Sequence, residues 1–156
     1  MIALVSLVGA LFLSPTYDRS DWISQSSWKK VRSKVLARDQ TYNYWICRYS
    51  GTKLTNKRLV DIDHIVPLKY ANEHCGDSFS ETKKRQFATD TLNLVSTSTH
   101  ENRSKGDDGV LEYMPSENQC WYLERWHLVT KKYYICLPSA DSAYIARGVK
   151  ACKSLK

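Results

Sequence analysis

Three short stretches of the chain carry side chains able to activate water and hold a hard cation. Asp61-Ile62-Asp63-His64-Ile65-Val66-Pro67 supplies two carboxylates and an imidazole. Asn93-Leu94 supplies an amide, and Asn102-Arg103-Ser104-Lys105-Gly106-Asp107 a second amide followed by two cationic side chains. An imidazole has a reference pKa near 6.5, which makes it well suited to take a proton near neutrality. In an extended chain neighbouring side chains point to opposite sides, so Asp63 can face a metal ion while His64 faces water. Ligation by carboxylate and amide oxygen alone suits Mg²⁺ or Mn²⁺ and disfavours zinc. Each piece alone is unremarkable, because Asp-His pairs arise by chance and an isolated His is more often structural than catalytic. The combination and its spacing, twenty-nine positions from His64 to Asn93 and nine from Asn93 to Asn102, carry the argument.

The elements that must position these residues can be read from periodicity and capping signals. Trp28, Val31, Val35 and Leu36 fall at helical spacing with Lys and Arg between them, giving an amphipathic helix whose basic face meets either phosphates or solvent. Residues 59–66 read as a strand entering Pro67, with a short helix after it. Ser78 with Glu81, Ser98 with Glu101 and Ser116 with Gln119 form Ser-x-x-Glu/Gln boxes, predicting helices near 79–89, 99–105 and 117–130. Between the first two, residues 92–97 read as a strand. A further strand is expected over Tyr133 to Leu137 and a last helix from Ser139. Strand, insertion helix, strand and helix therefore follow one another through the three stretches.

The chain of 156 residues is one ordinary domain in size, and its 42% hydrophobic and 25% charged composition excludes collagen-like and disordered classes. Its formal charge of +7 favours a polyanionic partner, nucleic acid first. Ile2 to Leu13 is an apolar run too short to span a bilayer, so no integral membrane span is expected, and it suits the core of an export signal. Residues 1–20 are read as signal peptide or N-terminal anchor, with a buried N-terminal element as the alternative, and 21–156 as the single domain. Five cysteines, Cys47, Cys75, Cys120, Cys136 and Cys152, show no Cys-x-x-Cys spacing of a zinc site. In an exported chain four can form two disulfides and one is left over; in the cytoplasm all five would be reduced. Trp121, Tyr122, Trp126, Tyr133 and Tyr134 are read as core before base-stacking surface, and His74 and His127 as structural.

Residues 59–108 resemble the ββα-metal finger of the HNH nucleases, and the Asp-x-Asp-His-Ile-Val-Pro and Asn-Arg-x-Lys pieces are similar to the HNH domain of RNA-guided CRISPR nucleases. Lys69 to Ala71, Arg85 to Asp90, Tyr113-Met114-Pro115 and the Cys120-x-Tyr122, Trp126 and Lys132-x-Tyr134 segments resemble small secreted bacterial HNH proteins. The resemblance implies an α+β fold with a ββα-metal (His-Me finger) core and additional flanking helices. It implies a metal-dependent endonuclease cutting DNA, with RNA the alternative, at low sequence specificity. In it His64 is the general base, Asp63 and Asn102 hold one divalent ion, Mg²⁺ before Mn²⁺, and Asn93 holds the loop and orients His64. Asp61 is either a support behind the ligands or a paired surface carboxylate. Arg103 and Lys105 are candidates to hold the nucleic-acid backbone, or are solvated. His100 lies two positions before Asn102, off its helical face, and the Arg-x-Lys that follows selects Asn102. The competing readings are a catalytically silent nucleic-acid-binding module and a toxin-type nuclease; oligomeric state is not read from the sequence.

Overall fold

In the computed structural model, which describes residues 16–154, the first long element is helix α1 (Gln25–Asp39). It starts at Ser24, whose hydroxyl accepts the Ser27 amide hydrogen. Val31, Val35 and Leu36 bury its inner stripe, as the spacing predicts. Three short strands follow, β1 (Gln40–Thr41), β2 (Tyr44–Ile46) and β3 (Lys53–Leu54), in an antiparallel sheet of that order. Then come β4 (Val60–His64), α2 (Leu68–Glu73), α3 (Glu81–Thr89), β5 (Leu94–Ser98) and α4 (Thr99–Lys105). Two long helices, α5 (Gln119–Tyr133) and α6 (Ser139–Lys153), pack on each other and complete the mixed α+β architecture. No described helix is long and apolar enough to cross a membrane.

The frame that matters is the antiparallel pair β4–β5, with His64 opposite Leu94 and Asp63 opposite Val95. Ser98 ends β5 and its hydroxyl accepts the Glu101 amide hydrogen, so α4 begins without a connecting loop. Helix α1 lies against this pair and bonds to both of its edges. Arg32 Nη2 donates to the Val60 carbonyl on the β4 edge at 2.8 Å. Arg38 Nη2 donates to the Leu94 carbonyl, and Asp39 accepts the Ser96 amide hydrogen on the β5 edge, both at 2.9 Å. Three edge groups that could template foreign strands are thereby paired.

Trp22, Tyr49, Phe87, Tyr122 and Trp126 form the large buried part of the core. Cys75–Cys136 ties the turn after α2 to the segment beyond α5, and Cys120–Cys152 ties α5 to α6, leaving Cys47 as a buried thiol. The turn at Gly76 admits only glycine, since a Cβ there would stand 2.3 Å from the Ala71 carbonyl oxygen.

Several sequence expectations are corrected. Tyr133 to Leu137 is not a strand. The stripe Leu123, Trp126, Val129, Thr130 and Tyr133 keeps α5 helical through Tyr133, and Tyr134 ends it in the left-handed region at φ 57°. Ser78 and Ser116 cap nothing: Ser80 and Asn118 hold the cap positions, while Ser78 and Ser116 donate to the carbonyls of Cys75 and Tyr49. The strand expected from residue 92 begins at Leu94, because Asp90 turns the chain by accepting the Leu92 amide hydrogen. The apolar run Ile2 to Leu13 lies outside the described residues.

Candidate functional site

Strand alternation sorts the chemistry of β4. His64 shares a strand face with Val60 and Ile62, and Asp61 and Asp63 share the other. Contacts settle which helix each face meets: His64 stacks on Trp28 of α1, while Asp61 and Asp63 bond Asn102 and Lys105 of α4. A cleft of about 380 Å³ takes lining from both sides, including Asp61, Asp63, His64 and Asn102. Its remaining wall includes Trp28, Arg32 and Arg103, together with Tyr17 and Arg19 from the stretch read as signal or anchor.

His64 is 5% exposed. Its Nε2 lies 2.8 Å from the Ala88 carbonyl oxygen, which can only accept, so Nε2 carries the hydrogen and Nδ1 the lone pair. The ring stacks on Trp28 with centroids 5.3 Å apart and planes 21° apart, and the Arg19 guanidinium lies 5.0 Å from the centre of the Trp28 ring. Burial pushes the His64 pKa down to about 3 against the opposing pull of the Ala88 hydrogen bond, and the Arg19 and Lys105 charges lower it further. The imidazole is therefore neutral near pH 7, with one nitrogen free to accept.

Asp63 is buried and engaged. Its Oδ2 accepts from the Tyr49 hydroxyl at 2.6 Å, and Lys105 Nζ stands 3.2 Å from Oδ1 and 3.1 Å from Oδ2. Burial raises the Asp63 pKa more than Lys105 and Tyr49 lower it. Burial and the Asp63 charge raise the Tyr49 phenol. Lys105 has no exposed surface and also donates to the His64 carbonyl at 2.9 Å. This corrects the expectation that Lys105 reaches nucleic-acid backbone: the ammonium lies inside, neutralising a carboxylate that would otherwise be buried with its charge unpaired.

Asn93 has no exposed surface, and its side chain splints the turn after β4, accepting from Val66 N at 2.8 Å and donating to Val66 O at 3.0 Å. Its own carbonyl accepts the Ile65 amide hydrogen. It thus acts on His64 through the backbone of the next two residues and makes no hydrogen bond to the ring. Asn102 Nδ2 donates to Asp61 Oδ2 at 3.3 Å, so Asp61 is paired with the amide of the candidate ligand. Arg103 is exposed on the cleft wall, and His100, exposed on the same helix, is not among the cleft residues.

Asp61, Asp63 and Asn102 offer only oxygen to a cation, and the described residues hold no group of three His, Cys, Asp or Glu placed to bind a metal ion. Asp61 Oδ1 and the Asn102 amide oxygen have no hydrogen-bond partner among the described residues. A carboxylate offers about four lone-pair directions, so Asp63 retains capacity beside Lys105 and Tyr49. The donor set fits a hard divalent ion.

Trp28, Arg19, Arg32 and Tyr49 had no motif to announce them. Trp28 reads as one more member of an apolar stripe, and Tyr49 lies outside all three chemical stretches.

The family of GmrSD restriction endonuclease C-terminal domains matches residues 16–146, a span that takes in every residue of the cleft. A protein of Arthroderma benhamiae named an uncharacterized secreted protein is 29% identical over 146 residues, covering 84% of this chain and 72% of its own length. No solved structure matches the chain significantly.

Proposed function

The chain belongs to the family of GmrSD restriction endonuclease C-terminal domains, and from that premise we propose that it is a metal-dependent endonuclease hydrolysing DNA phosphodiesters with low sequence specificity. One observation carries the reading: a neutral imidazole, fixed through its Nε2 hydrogen, shares a cleft with side-chain oxygens that suit a hard cation. In this reading β4, β5 and α4 form the ββα-metal finger of an HNH nuclease, in line with the motif likeness to small secreted bacterial members.

His64 is the general base, accepting a proton from water at Nδ1. The Ala88 carbonyl and the Trp28 ring hold its plane, and Asn93 holds the turn that follows it. A pKa of about 3 makes the free imidazole a weak base. A phosphodiester anion in the cleft raises it, because a nearby negative charge stabilises the imidazolium that forms on proton transfer. Asp63 and Asn102 would hold the ion, Mg²⁺ before Mn²⁺, with Asp61 beside them orienting the Asn102 amide. When bound, the ion supplies charge neutralisation at the phosphoryl and departing oxygens. Arg19 and Arg103 on the cleft wall offer forked donors to phosphate oxygens. Contacts of that kind position the backbone without reading bases, which accounts for low sequence specificity.

The ammonium of Lys105 beside Asp63 favours the alternative, a nucleic-acid-binding module in which an internal cation stands where catalysis needs a metal. Incubation with supercoiled plasmid separates the two. The nuclease reading expects nicked and then linear DNA in Mg²⁺ or Mn²⁺ and intact plasmid in EDTA; a folded protein that binds plasmid but leaves it intact in every metal supports the silent module. Export is part of the proposal, supported by the two disulfides, the apolar run Ile2 to Leu13 and the secreted relative, with the signal or anchor confined to the residues before Tyr17 because Tyr17 and Arg19 belong to the cleft wall.

A further inference from the structure

Beside β5, the chain gathers three guanidinium groups, two of them over one indole. A recess of about 150 Å³ there is lined by Arg38 of α1, Arg48 of the loop after β2, and Trp121 and Arg125 of α5, with Leu94 and Val95 at its floor. Arg48 and Arg125 each hold their guanidinium carbon 5.7 Å from the centre of the Trp121 ring. Arg38 is committed, bonding Asp39 and the carbonyls of Thr91 and Leu94. Arg48 and Arg125 are not: neither forms an ion pair or a side-chain hydrogen bond among the described residues. Asp39, the carboxylate of the recess, already accepts from Arg38 and from the Ser96 amide.

We propose that this Arg48–Trp121–Arg125 cluster is a second contact for the sugar-phosphate backbone of the nucleic acid whose scissile bond lies in the His64 cleft. Three physical arguments lead there. Two like charges held on one ring repel each other, and their forked donors remain unfilled, an arrangement completed by a polyanion. A guanidinium on an aromatic face is ordered in advance, so less side-chain entropy is lost when it takes a phosphate. The third argument is position. Leu94 and Val95, which floor the recess, are the ladder partners of His64 and Asp63. The cleft takes its lining from β4 and the recess takes part of its lining from β5, so a polymer held at the cleft reaches the arginines by passing around the pair, whose two faces α1 and α4 cover. The proposal rests on the nuclease reading for the identity of the polymer. It adds that binding extends beyond the cleft and that this part of it is blind to base sequence.

The test combines Arg48→Gln and Arg125→Gln in the full chain, with circular dichroism confirming the fold, and reads two quantities. The first is the slope of log affinity against log salt for a duplex oligonucleotide, expected to become less steep by about 1.8 for two lost phosphate contacts at about 0.9 each. The second is cleavage of long DNA, whose KM should rise several-fold, against hydrolysis of bis(p-nitrophenyl) phosphate, too short to reach the recess and expected to be unchanged. An Arg48→Lys, Arg125→Lys protein keeps the charge and should keep most of the slope. An unchanged slope and unchanged KM overturn the proposal. So does a variant that loses affinity for poly-glutamate while keeping it for DNA, which would assign the cluster to an acidic protein partner. If the wild-type chain binds DNA with the steeper slope yet cuts no substrate, the second contact stands and the nuclease reading fails.

Discussion

The two faces of the β4–β5 pair are built on opposite principles. Under α1, His64 sits beside Val60 and Ile62, stacked on an indole and kept neutral by burial. Under α4, Asp61, Asp63, Asn102 and Lys105 form a polar network in which a fully buried ammonium balances a buried carboxylate. One strand serves both because its side chains alternate, so consecutive residues Asp63 and His64 experience different solvents although their backbones are joined. In the proposed nuclease reading, a base that must stay deprotonated and a carboxylate that must stay charged need different environments. Placing them on opposite faces of one strand, with a cleft touching both, resolves the conflict.

The largest expected effect comes from unbalancing the charged face. Lys105→Met leaves Asp63 buried without its cation and should lower unfolding free energy by about 3–5 kcal/mol. Urea titration measures it, and a loss below about 1 kcal/mol would show that the ammonium is not needed to hold Asp63. On the neutral face the effect is one of pH. The folded-state pKa of His64 lies below its unfolded value, so the unfolded chain binds more protons between about pH 6.5 and pH 3. This contribution to stability is complete above that window and is lost as pH falls through it. Thermal unfolding of wild type and His64→Gln at successive pH values isolates it: the difference should shrink with acidification, and a constant difference would contradict burial of a neutral ring. The smallest effect belongs to Trp28. Aromatic pairs contribute about 0.5–1.5 kcal/mol beyond area, so Trp28→Ala should cut kcat on plasmid by roughly three- to tenfold with little change in KM, and Trp28→Phe should restore most of it. A KM effect alone would make Trp28 a part of the substrate wall and not a support for His64.

Much of this site was legible in the chain because its signals are local. The Ser98 box started α4 where expected, the apolar spacing gave the α1 stripe, and Asp63, His64 and Asn102 arrived at the same cleft. The missed features depend on what folds against what. Lysine is rarely buried, so Lys105 reads as a surface residue until Asp63 is placed across from it. Trp28 has the same sequence pattern whether it packs on leucine or on an imidazole. The aromatic run from Tyr133 suits a strand by propensity, and α5 overrode it because the buried stripe of the helix ends there. Cysteine count left two bridges with a spare thiol, or five reduced thiols, both open, and only the folded chain pairs Cys75 with Cys136 and Cys120 with Cys152.

The most direct measurement of the central claim is single-strand nicking of supercoiled plasmid by wild type and His64→Ala, both verified as folded, in Mg²⁺. With His64 as the base, the wild type converts plasmid to open circles and His64→Ala loses at least about 10²-fold in rate, the low end of what a positioned base contributes. Cutting by His64→Ala at a rate near wild type would contradict the assignment of the base and with it the division of labour between the two faces.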